Sequence, residues 1–321
     1  MNHKYTSFIF LIFTLLISSI VSLSKISISG TKFIADNKAI FMNGANTPWD
    51  KWNDFGGAFD ENFWNSHFAT LKSSGINSSR IWISCNGLYL VVNDNGTVKG
   101  ATDKFWQDVD KLFQLAENNG IYIMATLMSF DFFKDEGQDY LNWRKIFDSE
   151  SNMDSMVDNY IVPFVKKYKK YNSLWSIDLC NEPDWINENS ECGQISWDKL
   201  NKLFTKEVNA IHQNSNIPVT IGFGMIKYNS KNYNGDYGSE CGIDFDSTHF
   251  YEWEAEWFGF PFDTSPKNFG LTGTKPAVIG EFPAYGFTGS VKNSKEMSGS
   301  ECYINCYNNG WNGIMTVNIA L

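Results

Sequence analysis

The chain has 321 residues and a net charge of −10; 43% of it is hydrophobic, 16% aromatic and only 19% charged. That hydrophobic content excludes a disordered chain, and the acidic balance excludes the basic surfaces that bind nucleic acid or anionic lipid. The length suits one large domain with a full core, or two ordinary ones.

The chain opens with a short basic stretch, Met1–Lys4, then the apolar run Phe8–Val21 and the small residues Ser22–Ser24. This three-part pattern predicts a secretory leader over residues 1–24, with too few apolar residues for the roughly 20 of a membrane-spanning helix. Losing Lys4 with the leader takes the net charge from −10 to −11, and no later stretch is apolar enough to span a bilayer. The expected location is therefore extracellular, with no membrane partner once the leader is gone. Export makes Cys85, Cys180, Cys192, Cys241, Cys302 and Cys306 candidates for disulfides, with the connectivity left open. No His neighbours them at zinc spacing. Of two glycosylation sequons, Asn95 lies in a polar turn and Asn77 at the start of a predicted buried strand.

Lys25–Phe41 reads as a hairpin, with Gly30 and Asp36-Asn37 at its turns. Eight short apolar runs follow: Ala39–Ala45, Ile76–Ser84, Ile121–Met128, Leu174–Leu179, Pro218–Met225, Phe245–Tyr251, Ala277–Phe282 and Gly313–Ala320. Between them, Phe105, Val109, Leu112, Phe113 and Ala116 share one helical face, as do Leu200, Leu203, Phe204, Val208 and Ile211. Glu61–Ser73 and Asn142–Lys170 also read as helices, the second kinked or divided at Pro163. Lys227–Gly242 carries turn residues instead of a helix, and no eighth helix follows the last run.

Eight strands alternating with crossovers predict an α/β fold, a (β/α)8 barrel. The expected domain spans residues 25–321, with the N-terminal hairpin capping the barrel bottom and the last helix truncated or absent. A doubly wound open sheet is the alternative, but no Gly-x-Gly-x-x-Gly follows an early strand.

In such a barrel the active site lies at the C-terminal ends of the strands. The fourth run ends in Asn181-Glu182-Pro183 and the seventh in Gly280-Glu281-Phe282, so two carboxylates converge over the mouth. Paired carboxylates across a cleft are what glycoside hydrolysis needs, one protonated to assist the leaving oxygen and one to attack. Arg80 lies inside the second run and requires a partner; a mouth carboxylate, kept ionised as a nucleophile, or Asp178 would serve. His249 and Tyr251 are two residues apart on the sixth run and face the same way, towards substrate or Glu281.

Asn181-Glu182-Pro183 resembles the Asn-Glu-Pro motif of clan A glycoside hydrolases, family 5 in particular. Val278-Ile279-Gly280-Glu281-Phe282 resembles that family's nucleophile strand, Arg80 its strand-two Arg, and Thr248-His249-Phe250-Tyr251 its His-x-Tyr. The segments Phe33–Asn37 and Phe41–Asn46 look like those of family endo-β-mannanases. The resemblance implies Glu182 as acid/base, Glu281 as nucleophile, Asn181 as a sugar ligand, and a retaining double displacement without metal or organic cofactor. It implies a β-1,4-linked polysaccharide substrate, mannan first and glucan second. The sequence departs from the family where a strand-eight Trp usually stacks under the cleaved sugar: Thr316-Val317-Asn318 stands there, and Trp311 lies before the strand. A catalytically impaired carbohydrate-binding barrel and a transglycosylase are therefore the rival readings. Aromatic residues collect after the strands, Trp49, Trp52, Trp185, Trp253 and Trp257 among them, and are expected to stack on sugar faces.

Overall fold

The computed structural model describes residues 23–317; most of the predicted leader and the last residues of the eighth run lie outside the described residues. Eight parallel strands close into a barrel in chain order: β1 Met42–Asn46, β2 Ser78–Trp82, β3 Tyr122–Thr126, β4 Leu174–Asn181, β5 Val219–Phe223, β6 Asp246–His249, β7 Ala277–Pro283 and β8 Gly313–Val317. Strand β8 pairs with β1 from Gly313↔Met42 to Val317↔Asn46, which closes the ring. All positions of β2, β3, β4 and β5 are buried, as strands covered on both faces must be.

The helices form where the apolar periodicity predicts. Asp60 caps Glu61–Ser73, accepting the N–H groups of Asn62 and Phe63 at 2.9 and 3.1 Å. Thr102 caps Asp103–Asn119, which ends on Gly120 in the left-handed conformation. Phe105, Val109, Leu112 and Phe113, with Leu200, Leu203, Phe204 and Ile211 of the helix Trp197–Asn214, are buried against the barrel.

The bottom is closed by three antiparallel strands, Ser27–Ser29, Lys32–Ala35 and Lys38–Ile40. Phe33 is the plug, edge-on to Trp175 and Phe245 with centroids 5.2 and 5.1 Å away.

Four expectations are corrected. The run Ala39–Ala45 divides at Phe41: its first residues belong to the bottom sheet and the rest to β1. The predicted helix Asn142–Lys170 breaks at Ser149, which is extended and caps the next helix; at Pro163 the helix is not divided but its hydrogen-bond pattern changes. A π-turn over Val157–Ile161 precedes Pro163, which stands in the first turn of the segment Val162–Tyr168. Between β5 and β6 the turn-rich stretch holds a small hairpin, Asn229–Ser230 with Gly235–Asp236, and a short helix, Tyr237–Cys241. All six cysteines are free and buried, so the expected disulfides are not formed. Cys302 and Cys306 stand one helical turn apart in Gly299–Asn308, where Cβ atoms are about 5–6 Å apart, beyond disulfide reach.

Candidate active site

Arg80 organises the mouth. Its guanidinium, fully buried, donates from Nε and Nη2 to Asp178 Oδ2 at 2.9 and 2.7 Å. Nη2 also donates to Asn181 Oδ1 at 2.9 Å, and Nη1 to Asn46 Oδ1 at 3.1 Å and Glu281 Oε2 at 3.3 Å. One cation on β2 thus fixes side chains at the ends of β1, β4 and β7, and a buried charge is tolerable only with such a full set of partners. Both partners expected from the sequence, Asp178 and a mouth carboxylate, are engaged. The cluster needs room: a Cβ on Gly222 would come within 2.8 Å of Asp178 Oδ2, 2.9 Å of Arg80 Nη2 and 3.1 Å of His249 Nε2. Only glycine fits there.

Glu182 takes the left-handed conformation, with φ 48° and ψ 56°, directly before Pro183. Such a backbone costs a non-glycine residue roughly 1–2 kcal/mol and persists only when its surroundings enforce it. Here the Glu182 N–H donates to the Gly222 carbonyl at 2.7 Å, and Asp184 accepts the Gly224 N–H at 2.9 Å. The result turns the carboxyl of Glu182 into the mouth, where its side chain is 14% exposed. Trp185 Nε1–H donates to Glu182 Oε2 at 3.0 Å, and His249 Nδ1 lies 2.8 Å from Oε1. Burial pushes the Glu182 carboxyl up to about 7, against the opposing pull of Arg80 and the Trp185 hydrogen bond, with Asp131 adding to the rise.

Glu281 stands across from it. The Tyr251 hydroxyl donates to Oε1 and Arg80 to Oε2. Tyr251 is held above its ordinary range by burial and by Glu281, so it stays protonated as a donor. Burial pulls His249 down to about 4, outweighing the attraction of Glu281, so its ring is neutral. With Glu182 ionised, His249 Nδ1 carries the hydrogen of the shared bond.

Side-chain atoms of Glu182, His249 and Glu281 all lie within 4.8 Å of one another, so the two carboxyl groups approach to within that distance. The same trio could hold a metal ion by spacing, but the Arg80 guanidinium on Glu281 opposes a second cation there.

Aromatic residues flank the pair on two sides. Over β1 and β2, Trp49 lies 4.8 Å from Trp52 and 5.2 Å from Trp82, ring centre to ring centre. Over β4 to β6, Trp185, Trp253 and Trp257 line a depression of about 550 Å³ with Met225, Tyr233 and Phe258. Trp52, Trp253 and Trp257 are exposed large hydrophobics, an unfavourable arrangement unless something covers them. The aromatics after β3 behave differently: Phe132 and Phe133 are buried, as are Phe260 and Phe262 after β6, and all four serve packing. No aromatic stands in β8 itself; Thr316 is half-buried there and shares a depression with Trp49. Trp311 is buried before β8, its indole N–H bonded to the Thr264 carbonyl.

The strand-end residues singled out from the sequence, Arg80, Asn181, Glu182, His249, Tyr251 and Glu281, are brought together; of the five Trp residues, Trp185 touches Glu182, and Trp49, Trp52, Trp253 and Trp257 lie in the flanking aromatic groups. Sequence reasoning missed Asn46, Trp82, Asp184 and Glu254. Asn46 and Trp82 carry the same strand-end signal that revealed the two Glu residues; Asp184 and Glu254 carry none, because their burial depends on how the loops fold back.

The whole chain compares well with known proteins. It is 25% identical to a mannan endo-1,4-beta-mannosidase of Cryptopygus antarcticus, over 96% of this chain and 88% of that one. It is 24% identical to that of Mytilus edulis, over 91% and 87% respectively. Among solved structures, the β-mannanase of the blue mussel Mytilus edulis superposes with a TM-score of 0.76 at 21% identity, covering 92% of each chain. The β-1,4-mannanase of the sea hare Aplysia kurodai gives 0.77 at 22%, covering 92% of this chain and 93% of that one. Both share the barrel fold. Residues 34–299 match the Cellulase family, and this chain belongs to glycosyl hydrolase family 5.

Proposed function

We propose that the protein is a retaining endo-β-1,4-mannanase in which Glu281 is the nucleophile and Glu182 the acid/base. One observation carries the reading: two carboxyl groups within 4.8 Å of each other, held by unlike partners. Retaining glycosidases keep their carboxyls about 5–5.5 Å apart, whereas inverting enzymes need about 6.5–9.5 Å for an intervening water.

Each step follows from the partners. Glu182, held up by burial, starts protonated and gives its proton to the glycosidic oxygen as that bond breaks. Glu281 attacks the anomeric carbon, forming a glycosyl ester and retaining its contacts to Arg80 and Tyr251. Glu182, now ionised, accepts a proton from water; the water oxygen bonds the anomeric carbon and the ester bond to Glu281 breaks. His249 and Trp185 hold the Glu182 carboxyl through the change of charge. Asn181, tied to Arg80, is the ligand for a sugar hydroxyl. The chain's own residues suffice, with no metal or organic cofactor.

Mannan is favoured over glucan by the curated relatives, both mannan endo-1,4-beta-mannosidases. Aromatic groups on both sides of the carboxyl pair suit a polymer bound through its middle, hence endo attack. Trp49, beside Thr316, is the residue to replace the usual strand-eight platform. The pattern of residues 1–24 supports secretion, and Asn95, exposed at a hairpin turn, is open to glycosylation.

The test is reducing-sugar release from mannan, cellulose and mixed-linkage glucan, with products sized. Release from mannan is expected, and Glu182→Gln should lower kcat by about 10²–10⁴-fold with the fold intact. Glu281→Gln should remove turnover. Activity surviving in both variants contradicts the assignment, and release from glucan alone contradicts the substrate.

A further inference from the structure

Asn46, the last residue of β1, is buried at the seam where β8 closes the barrel. Its amide is engaged at both ends. Oδ1 accepts Arg80 Nη1 at 3.1 Å, the same nitrogen that donates to Glu281 Oε2. Nδ2 donates to the Gly280 carbonyl at 2.6 Å and to the Met315 carbonyl at 3.4 Å. Only one orientation of an amide satisfies a guanidinium on one side and two carbonyls on the other. This side chain therefore reaches past β8 to β7, and meets it at the residue directly before Glu281.

Strand β7 is irregular at that point. Its pairing with β6 runs Thr248↔Ile279 and then His249↔Glu281; its pairing with β8 runs Ile279↔Ile314 and then Phe282↔Thr316. In each ladder β7 carries one extra residue, so the strand bulges over Gly280 and Glu281. The bulge leaves no space for a side chain at Gly280, where a Cβ would come within 2.4 Å of Ser247 Oγ. A bulge re-aims the side chain beside it and interrupts the regular ladder that would otherwise fix the strand, so its position has to be set by another contact. We propose that Asn46 is that contact: a positioning residue that clasps the bulge through the Gly280 carbonyl and steadies Arg80 Nη1, so that the Glu281 carboxylate is aimed at the anomeric carbon through its backbone and its cation together. The inference rests on Glu281 being the nucleophile.

Attack by Glu281 can be read apart from proton donation. With a 2-deoxy-2-fluoro-β-mannobiosyl fluoride, the Glu281 oxygen bonds the anomeric carbon and fluoride departs without a proton from Glu182, while the ring fluorine slows hydrolysis of the ester so that it accumulates. The experiment times this trapping by mass spectrometry of the full chain and locates the ester by peptide mapping, in the parent, Asn46→Ala, Asn46→Asp and Tyr303→Phe, beside the melting temperature and the KM for mannan. Asn46→Ala loses both contacts. Asn46→Asp keeps an acceptor for Arg80 but turns an oxygen onto the Gly280 carbonyl, and being the same size it decides the matter if Asn46→Ala fails to fold. Tyr303, whose hydroxyl donates to the Gly44 carbonyl, holds the same strand at a point away from Glu281 and is the control. We expect both Asn46 variants to trap about 10²-fold more slowly, the loss that a misplacement near 1 Å brings, with KM little changed. Tyr303→Phe should melt lower and trap at the parent rate. Trapping at the parent rate by a folded Asn46→Ala would make the residue a stability element only and overturn the proposal. Parent-like trapping by Asn46→Asp would show the Gly280 contact to be idle, and an equal slowing in Tyr303→Phe would show a general loosening of β1; either overturns it. A label on a residue other than Glu281 in the parent is a different result, and refutes the nucleophile assignment itself.

Discussion

At the bottom of the barrel Phe33, Trp175 and Phe245 meet within 5.4 Å of one another, ring centre to ring centre, inside a cluster of apolar side chains. At the mouth the barrel carries Arg80, Asp178, Glu182, His249 and Glu281, all buried or nearly so. The bottom is held by apolar area removed from water, which tolerates small displacements. The mouth is held by a polar network in which each group depends on its neighbours, and in which removing one partner strands another. Stability at the bottom is independent of the chemistry; stability at the mouth is bound to it.

The largest effects separate the two ends directly. Phe33→Ala should cost about 3–5 kcal/mol of unfolding free energy while leaving kcat/KM unchanged. Arg80→Met should cost roughly as much, 3–5 kcal/mol, and also remove nearly all turnover, since Asp178 and Glu281 lose their common partner. Urea unfolding beside kcat/KM reads both; an inactive Phe33→Ala that folds would erase the distinction between the ends.

A smaller effect is the pH dependence of stability. Glu182 and Asp246 are raised to about 7 and Asp184 to about 8, so the folded chain binds more protons than the unfolded one between about pH 4 and pH 8. Their stabilising contribution is complete below the unfolded values and is lost as pH rises through 7 to 8. His249, lowered to about 4, works in the opposite sense, its contribution lost as pH falls. Asp54, Glu207 and Glu254 are raised by burial as well, against His67 and His249 lowered, so unfolding free energy should decline from pH 5 to pH 8, and Phe33→Ala should retain that slope. A rise over the same range in urea titrations would contradict the charge states assigned to these buried carboxyls.

The smallest effect concerns Trp185, whose indole N–H lowers the Glu182 carboxyl against the rise from burial. Trp185→Phe should move the alkaline limb of the kcat/KM profile to higher pH, with little change in melting temperature. A limb that moves to lower pH would show that the hydrogen bond does not act on the acid/base.

The barrel and the carboxyl pair were legible in the sequence for one reason. Apolar runs ending in Glu182 and Glu281 obey the period and polarity of buried strands, which are local properties. Arg80 stood out because a charge inside an apolar run demands a partner. What depends on loops was not legible. Nothing local tells that Phe132 and Phe133 turn inwards while Trp253 and Trp257 stay exposed, since all are aromatics after a strand end. The disulfide expectation followed from compartment, not geometry, and geometry left each thiol free. Asp184 and Glu254 look like ordinary loop acids until Gly224 and Tyr251 present their N–H groups to them.

The anomeric configuration of the newly released reducing end, followed by ¹H NMR during mannan hydrolysis, tests the central claim most directly. Carboxyls within 4.8 Å, acting as nucleophile and acid/base, predict that the β-anomer appears first and mutarotates afterwards. First appearance of the α-anomer would mean inversion, and would contradict Glu281 as the attacking group.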